Sequence, residues 1–185
     1  MAAWSHRKPR GYRPGPGRGL NRTMPATDVY ASIRALLDRQ GVGYRALEHE
    51  PTPTSEDSAR VRGEPLAIGG KALSMRADGA DVLLVLSASR RLNSKRFRKV
   101  IGARKLRFLT PEELYDACGL VPGSVPPFGR PVLPFALYLD ASMVAQPRIA
   151  FNAGCLRRSV IMDRSDYQRV ANPVAIVDVT TPPET

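Results

Sequence analysis

Two cysteines and two histidines are too few for most of the chemistry that proteins build from such residues. Cys118 and Cys155 stand apart without a Cys-x-x-Cys spacing, which argues against a disulfide framework and a thiolate metal site and leaves two free thiols. His6 and His49 lie on either side of a change in composition, so no cluster can supply the three or four ligands of a zinc site. No metal and no other cofactor is expected. Cys155 as a nucleophile would need a nearby base, yet no histidine accompanies it in sequence, and a lone cysteine more often packs as a small hydrophobe. Long apolar runs are missing too: the longest, Val82 to Leu86, falls far below the roughly 18 residues of a membrane span. No apolar segment follows the basic N-terminus, which argues against a secretory signal. A soluble protein without a membrane partner, cytoplasmic by default, is the expectation.

Acid is scarce where base is abundant. The formal net charge is +11, and residues 1–27 hold Arg7, Lys8, Arg10, Arg13, Arg18 and Arg22 with no Asp or Glu among them. A second cluster, Arg90, Arg91, Lys95, Arg96, Arg98, Lys99, Arg104, Lys105 and Arg107, also runs without an interleaved acid. A solvated helix face is the usual reason for a run of charge, but the lack of acid favours a polyanion. Arg90, Arg91, Lys95, Arg96 and Lys99 are therefore candidate contacts to an RNA backbone.

With 185 residues, of which 43% are hydrophobic, the chain can bury one sizeable core, so a single domain with tails is expected. Residues 1–27, rich in Pro and Gly, read as a disordered basic tail, 28–180 as the folded domain and 181–185 as a short C-terminal tail. Thr27-Asp28 reads as an N-cap pair before an amphipathic helix through Leu37. A strand at 44–49 and a short helix begun by Thr54 and Asp57 follow. Asp78-Gly79 between two apolar runs, 66–76 and 81–86, signals a hairpin. The basic segment 94–101 predicts a helix with Phe97, Val100 and Ile101 inward. Thr110-Pro-Glu-Glu113 is a capping box with proline at the first helical position. Strands are predicted at 105–109, 132–139, 149–151, 159–162 and 174–179, with a helix near 163–170. Helices and strands mix without regular alternation, which indicates an α+β (mixed α/β) domain around a mixed sheet.

Lys71 sits in Leu66-Ala-Ile-Gly-Gly-Lys-Ala-Leu-Ser-Met75, an apolar run where an ammonium calls for a polar partner. It ends no P-loop, because Pro65 and Ala72 occupy positions that need glycine and Ser/Thr. The bland reading is an edge-strand lysine with its head in water. Gly123-Ser-Val-Pro-Pro-Phe-Gly129 is either a stiff connector or a rigid pocket wall, and Asn152-Ala-Gly154 either a turn or a place where main-chain N–H groups meet a developing oxyanion.

In order along the chain, Glu48-His49-Glu50-Pro51, the Lys71 strand, the Asp78-Gly79 hairpin, the basic 90–101 segment, the Gly-x-x-x-Pro loop from Gly123 to Pro127, Phe128-Gly129 and Phe151-Asn-Ala-Gly154 resemble the YbaK/prolyl-tRNA synthetase-associated editing-domain family. The resemblance spans about 28–180. It implies a mixed, partly barrel-like sheet surrounded by helices, and hydrolysis of mischarged aminoacyl-tRNA, with a small amino acid on tRNA-Pro-type substrates, by a free-standing trans-editing deacylase. It places Lys71 at the family's essential lysine, and Gly123 and Pro127 in the loop that positions the scissile carbonyl and terminal adenosine. It sets the Asn152–Gly154 turn opposite the lysine. Catalytic roles then fall to Lys71, Gly123 and Gly154, and substrate contacts to His49, Pro127, Phe128, Asn152 and Ala153. A mischarged aminoacyl-tRNA is the implied partner, with a synthetase or elongation factor beside it. The alternative is a non-catalytic RNA-binding or adaptor module on the same fold. Ala72 after the lysine, and an Asn152 turn without histidine, depart from better-known branches and leave the amino acid open.

Overall fold

The structure, a computed structural model, describes residues 26–182, with side chains from residue 29 onward. The disorder expected of residues 1–27 thus falls outside the described range except at Ala26 and Thr27, which belong to a helix, and of the expected C-terminal tail residues 183–185 lie outside it. Helix α1 (Ala26–Arg39) starts just ahead of the expected cap pair and buries Val29, Ile33 and Leu37, which recur at helical spacing on one face. Strand β1 (Tyr44–Glu48) follows. Helix α2 (Ser55–Arg62) begins at Thr54, whose hydroxyl accepts from the Asp57 N–H at 3.1 Å, and ends at Gly63 in the left-handed region. Residues Leu66–Ile68, expected to extend a strand, instead form one 3-10 turn.

Strands β2 (Gly70–Ala77) and β3 (Ala80–Ser87) make the expected hairpin, with Asp78 at φ 48° and Gly79 at φ 89°. The Asp78 carboxylate also accepts from the Arg104 and Lys105 N–H groups, which ties the turn to the segment beyond the basic helix. After the short β4 (Arg91–Leu92), helix α3 (Ser94–Val100) is capped by Asn93. Phe97 is fully buried beneath α3, but Val100 is 45% exposed, so only part of the expected inward face is apolar core. Strand β5 (Leu106–Phe108) and helix α4 (Pro111–Cys118), with its complete capping box on Thr110 and Glu113, match the sequence signals.

The strand expected over 132–139 is shorter. β6 (Ala136–Asp140) holds its second half, whereas Val132, Leu133 and Phe135 are buried in a turn folded back on Gly129. A Cβ on Gly129 would lie 2.7 Å from the Phe135 carbonyl oxygen, so the close return requires glycine. A short helix α5 (Ala141–Val144), β7 (Arg148–Asn152), β8 (Arg158–Asp163), α6 (Arg164–Ala171), β9 (Ala175–Val177) and β10 (Thr180–Thr181) complete the described chain.

The central five-stranded sheet has the order β5-β2-β3-β6-β9 and is mixed, parallel between β3 and β6 and between β6 and β9. β3 is buried on both faces, which explains its unbroken Val82–Leu86 run. Leu83 and Val85 face the main core with α1, α4 and α6, while Val82, Leu84 and Leu86 face a second cluster around Phe97. A separate antiparallel sheet, β1-β8-β7, covers the main core from the other side. The expected partial barrel is not closed among the described residues: β5 and β9 are edges there, and the two larger sheets meet at one bridge between Gly69 and Ala150. The result is a mixed α/β domain with a central sheet surrounded by helices.

Candidate active site

β5 pairs with only the far half of β2, from Met75 to Ala77. The near half, Gly70 to Leu73, has no strand on its outer edge among the described residues. An open cleft of about 480 Å³ runs along this edge. Because the Leu109 N–H bonds to the Ser74 carbonyl, the even-numbered residues of β2 turn their backbone groups outward, so the Ala72 N–H and C=O face the cleft. Lys71 projects from the opposite parity, on the same sheet face as Leu73 and Met75. It lines the cleft with its side chain exposed and makes no ion pair or hydrogen bond among the described residues. The partner expected of a half-buried lysine is absent because Lys71 stands at the mouth, in water.

The opposite wall joins the two downstream loops. Gly123, at φ 84°, turns the chain so that its carbonyl accepts from Asn152 Nδ2 at 2.9 Å, while the Gly154 N–H donates to the Ser124 carbonyl at 3.1 Å. A Cβ at Gly123 would approach Leu156 Cδ2 to 3.2 Å in a conformation that L-residues rarely adopt. The Gly123 N–H has no acceptor among the described residues.

Behind this wall lies a buried polar network. Arg62, at the C-terminal end of α2, is 7% exposed and lines the cleft. Its Nε donates to Ser159 Oγ at 2.8 Å and its Nη2 to Asn152 Oδ1 at 2.6 Å. No carboxylate pairs with it among the described residues, and burial pushes its pKa down to about 10, which leaves it cationic near neutrality. Nη1 has no partner among the described residues and is not sealed from solvent. His49 closes the network from outside. Its Nδ1 lies 2.7 Å from the Glu50 carbonyl, an acceptor, so Nδ1 carries the proton; in the neutral ring Nε2 accepts from Ser159 Oγ at 2.7 Å.

The residues expected from sequence therefore divide. Lys71, Gly123 and Asn152 line one cleft. Gly154 borders a separate shallow pocket with Cys155, and its N–H is already engaged by Ser124. Ala153, Pro127 and Phe128 are buried behind the loop. Phe128 packs edge-on against Phe151 and Tyr167, and the Tyr167 hydroxyl, whose pKa burial pushes far up, donates to the Pro127 carbonyl at 2.6 Å. His49 reaches the cleft only through Ser159. Arg62, Ser74 and Phe108 line the cleft and carried no sequence signal: Arg62 reads as an ordinary base in a helix's last turn, Ser74 as a strand residue. Phe108 is 52% exposed on the face shared with Lys71 and Leu73, whereas Phe97, Phe128, Phe135 and Phe151 are buried. All five proposed RNA contacts, Arg90, Arg91, Lys95, Arg96 and Lys99, are exposed, and the segment begins two residues after Ala88 on the cleft rim.

Residues 49–170 match the model of the aminoacyl-tRNA editing domain. The chain is 32% identical over 156 residues to the multifunctional Ser/Thr-tRNA deacylase ProXp-y of Escherichia coli (strain K12), spanning 78% of this chain and 89% of that protein. It is 24% identical over 148 residues to the prolyl-tRNA editing protein ProX of Acetoanaerobium sticklandii, covering 77% and 90% of the two chains. Among solved structures, a candidate trans-editing enzyme for prolyl tRNA synthetase superposes with a TM-score of 0.72 at 22% identity, over 86% of this chain and 99% of the other, a likeness of fold.

Proposed function

The chain belongs to the aminoacyl-tRNA editing domain family, and on that premise we propose that it is a trans-acting deacylase that hydrolyses the ester of a mischarged aminoacyl-tRNA. The observation that carries the reading is a pair of cations without carboxylate partners in one cleft, Lys71 at the mouth and Arg62 at the buried wall. An aminoacyl ester is already activated, so the protein need only orient a water and stabilise the oxyanion. No nucleophilic side chain is required. Arg62 Nη1, with the free Gly123 and Ala72 N–H groups, supplies donors for the carbonyl oxygen as it gains charge. A desolvated guanidinium is worth more in that role than one in water. Lys71, exposed and mobile on its stem, meets a phosphate or ribose oxygen of the acceptor end. Phe108 and Leu73 beside it offer an apolar face for the terminal base, since stacking on an aromatic ring tolerates any base.

Asn152 and Ser159 act by positioning Arg62 and the Gly123 loop. His49 acts one step further back. A tRNA of the proline type and a small amino acid are the proposed substrates, and the name of the Escherichia coli relative points to serine and threonine among small residues. A panel of tRNAs charged with different amino acids tests the reading. Intact protein is expected to shorten the half-life of at least one ester, and Lys71→Ala to lengthen it again. Undiminished hydrolysis by the variant removes Lys71 from the site. Unchanged half-lives with intact protein, alongside salt-dependent tRNA binding, would favour the non-catalytic RNA-binding module.

A further inference from the structure

The open edge of β2 is one residue long. At one end the Leu109 N–H holds the Ser74 carbonyl, where β5 gives way to α4. At the other, Gly69 is bridged to Ala150, and Gly70 is packed so closely that a Cβ on it would lie 2.7 Å from Ile149 Cδ1. Between these closures only Ala72 turns its N–H and C=O outward, since Lys71 and Leu73 point theirs at β3. Both groups of Ala72 lack a partner among the described residues, and Ala72, half-buried, lines the cleft. An edge of that length is too short to pair with another strand, but it suits a single residue.

Two residues directly opposed in an antiparallel ladder can exchange both hydrogen bonds, each N–H donating to the other's C=O. An α-amino acid esterified at its carboxyl presents the same two groups at the same spacing, an α-ammonium that donates and a carbonyl that accepts. We infer that the aminoacyl group docks on Ala72 as a one-residue continuation of the β5 line, its α-ammonium donating to the Ala72 C=O and its ester carbonyl accepting from the Ala72 N–H. This rests on the deacylase reading and adds what the site recognises in the amino acid. The docking also fixes handedness. Directly opposed residues carry their side chains on the same face of a sheet. Ala72 faces the main core, so an L side chain enters the part of the cleft lined by Leu109, Leu114, Val125 and Phe151. A D side chain would be sent to the opposite face, onto Lys71 and Leu73, where the nucleotide is proposed to lie.

The experiment takes the chiral amino acid whose ester the intact protein cleaves fastest and loads one tRNA with its L form, its D form and the analogue in which hydrogen replaces the α-amino group. Each kcat/KM is divided by the uncatalysed hydrolysis rate of the same ester. The L ester is expected to exceed the D ester by about a hundredfold, the scale of a misplaced reacting group. It should exceed the analogue by about tenfold to a hundredfold, the scale of one hydrogen bond from a charged donor. Ala72→Val crowds the face beside the docked side chain, so it should lower the ratio of a larger to a smaller L ester by about tenfold. That ratio is taken within one protein and is blind to any loss of folded material. Equal cleavage of the L and D esters, equal cleavage of the L ester and the analogue, or an unchanged ratio in Ala72→Val overturns the docking while leaving the deacylase reading intact. If the intact protein cleaves no ester in the panel, the deacylase reading fails, and this docking with it.

Discussion

Arg62 is the residue at which burial and charge are most at odds. A guanidinium nearly out of water normally has a carboxylate beside it, but here the acceptors are Ser159 Oγ and Asn152 Oδ1, both neutral. They fix two of its nitrogens and leave Nη1 for a ligand. Arg62→Ala is therefore expected to lower kcat/KM by about 10²–10³, the cost of losing an oxyanion donor. Added guanidinium should restore part of the loss, because the Ser159 and Asn152 acceptors would still orient it. Arg62→Lys keeps the charge but not the planar fork, and should remain impaired. Full activity in Arg62→Ala, or no rescue in a variant whose thermal transition is retained, would return Arg62 to a structural role. None of this was legible from the sequence. An arginine closing a short polar helix looks like every other, and only the fold brings Asn152 and Ser159 from far along the chain to meet it.

At the scale of elements, β5 is the strand most in need of fastening, since it is short, lies at an edge and holds Phe108, with Leu109 just beyond it, along the cleft. Glu113 of α4 fastens it. Its carboxylate accepts from Arg107 of β5 at 2.6 Å and from Arg76 of β2 at 2.6 Å, and Arg76 reaches on to Asp81 of β3 at 2.7 Å. The Arg107 hydrogen bonds, and then the Thr110 N–H, hold the Glu113 carboxyl well below its usual 4.5, at about 2. A depressed carboxylate pKa means that the stabilisation is fully present above 4.5 and is lost as pH falls through about 2. Thermal midpoints of the intact protein and Glu113→Gln should thus differ most above pH 4.5 and converge as the pH falls toward 2. A constant difference across that window would mean that the charge contributes nothing. The capping box behind this contact was readable, as were the Thr54 cap and the Asp78-Gly79 turn, because each is a rule about neighbours. The extent of β6 was not. Val132, Leu133 and Phe135 are as apolar as strand residues but are buried in a turn returning to Gly129, and burial without regular structure has no period. Val100 failed for the converse reason: helical spacing assigned it a face that no neighbouring element covers.

Across the whole molecule, composition revealed the basic character, the order of motifs revealed the family, and the gap between two sheets that meet at one bridge had to be seen. That gap is the cleft, and the base-rich segment starts beside it at Arg90. Lys95 and Lys99 are exposed, and Arg96 shares only a 3.5 Å contact with an exposed Asp178, so little in the fold neutralises this face. Charges held within a Debye length of about 8 Å, and not compensated, act together on a polyanion. The tRNA body would then be held through its phosphates away from the ester, and that pairing releases counterions. Reversing Lys95, Arg96 and Lys99 to glutamate is expected to weaken tRNA binding at low salt by tenfold or more, with the slope of log K against log salt shallower by about 1 for each phosphate no longer neutralised. At saturating tRNA the hydrolysis rate should be retained, because Arg62 and the Gly123 loop, proposed to meet the ester, and Lys71, proposed to meet the acceptor end, are untouched. An unchanged slope would place the tRNA on another face of the domain. A lower rate at saturation would mean that the basic face shapes the reacting end itself, so that binding and chemistry are not separable along this surface.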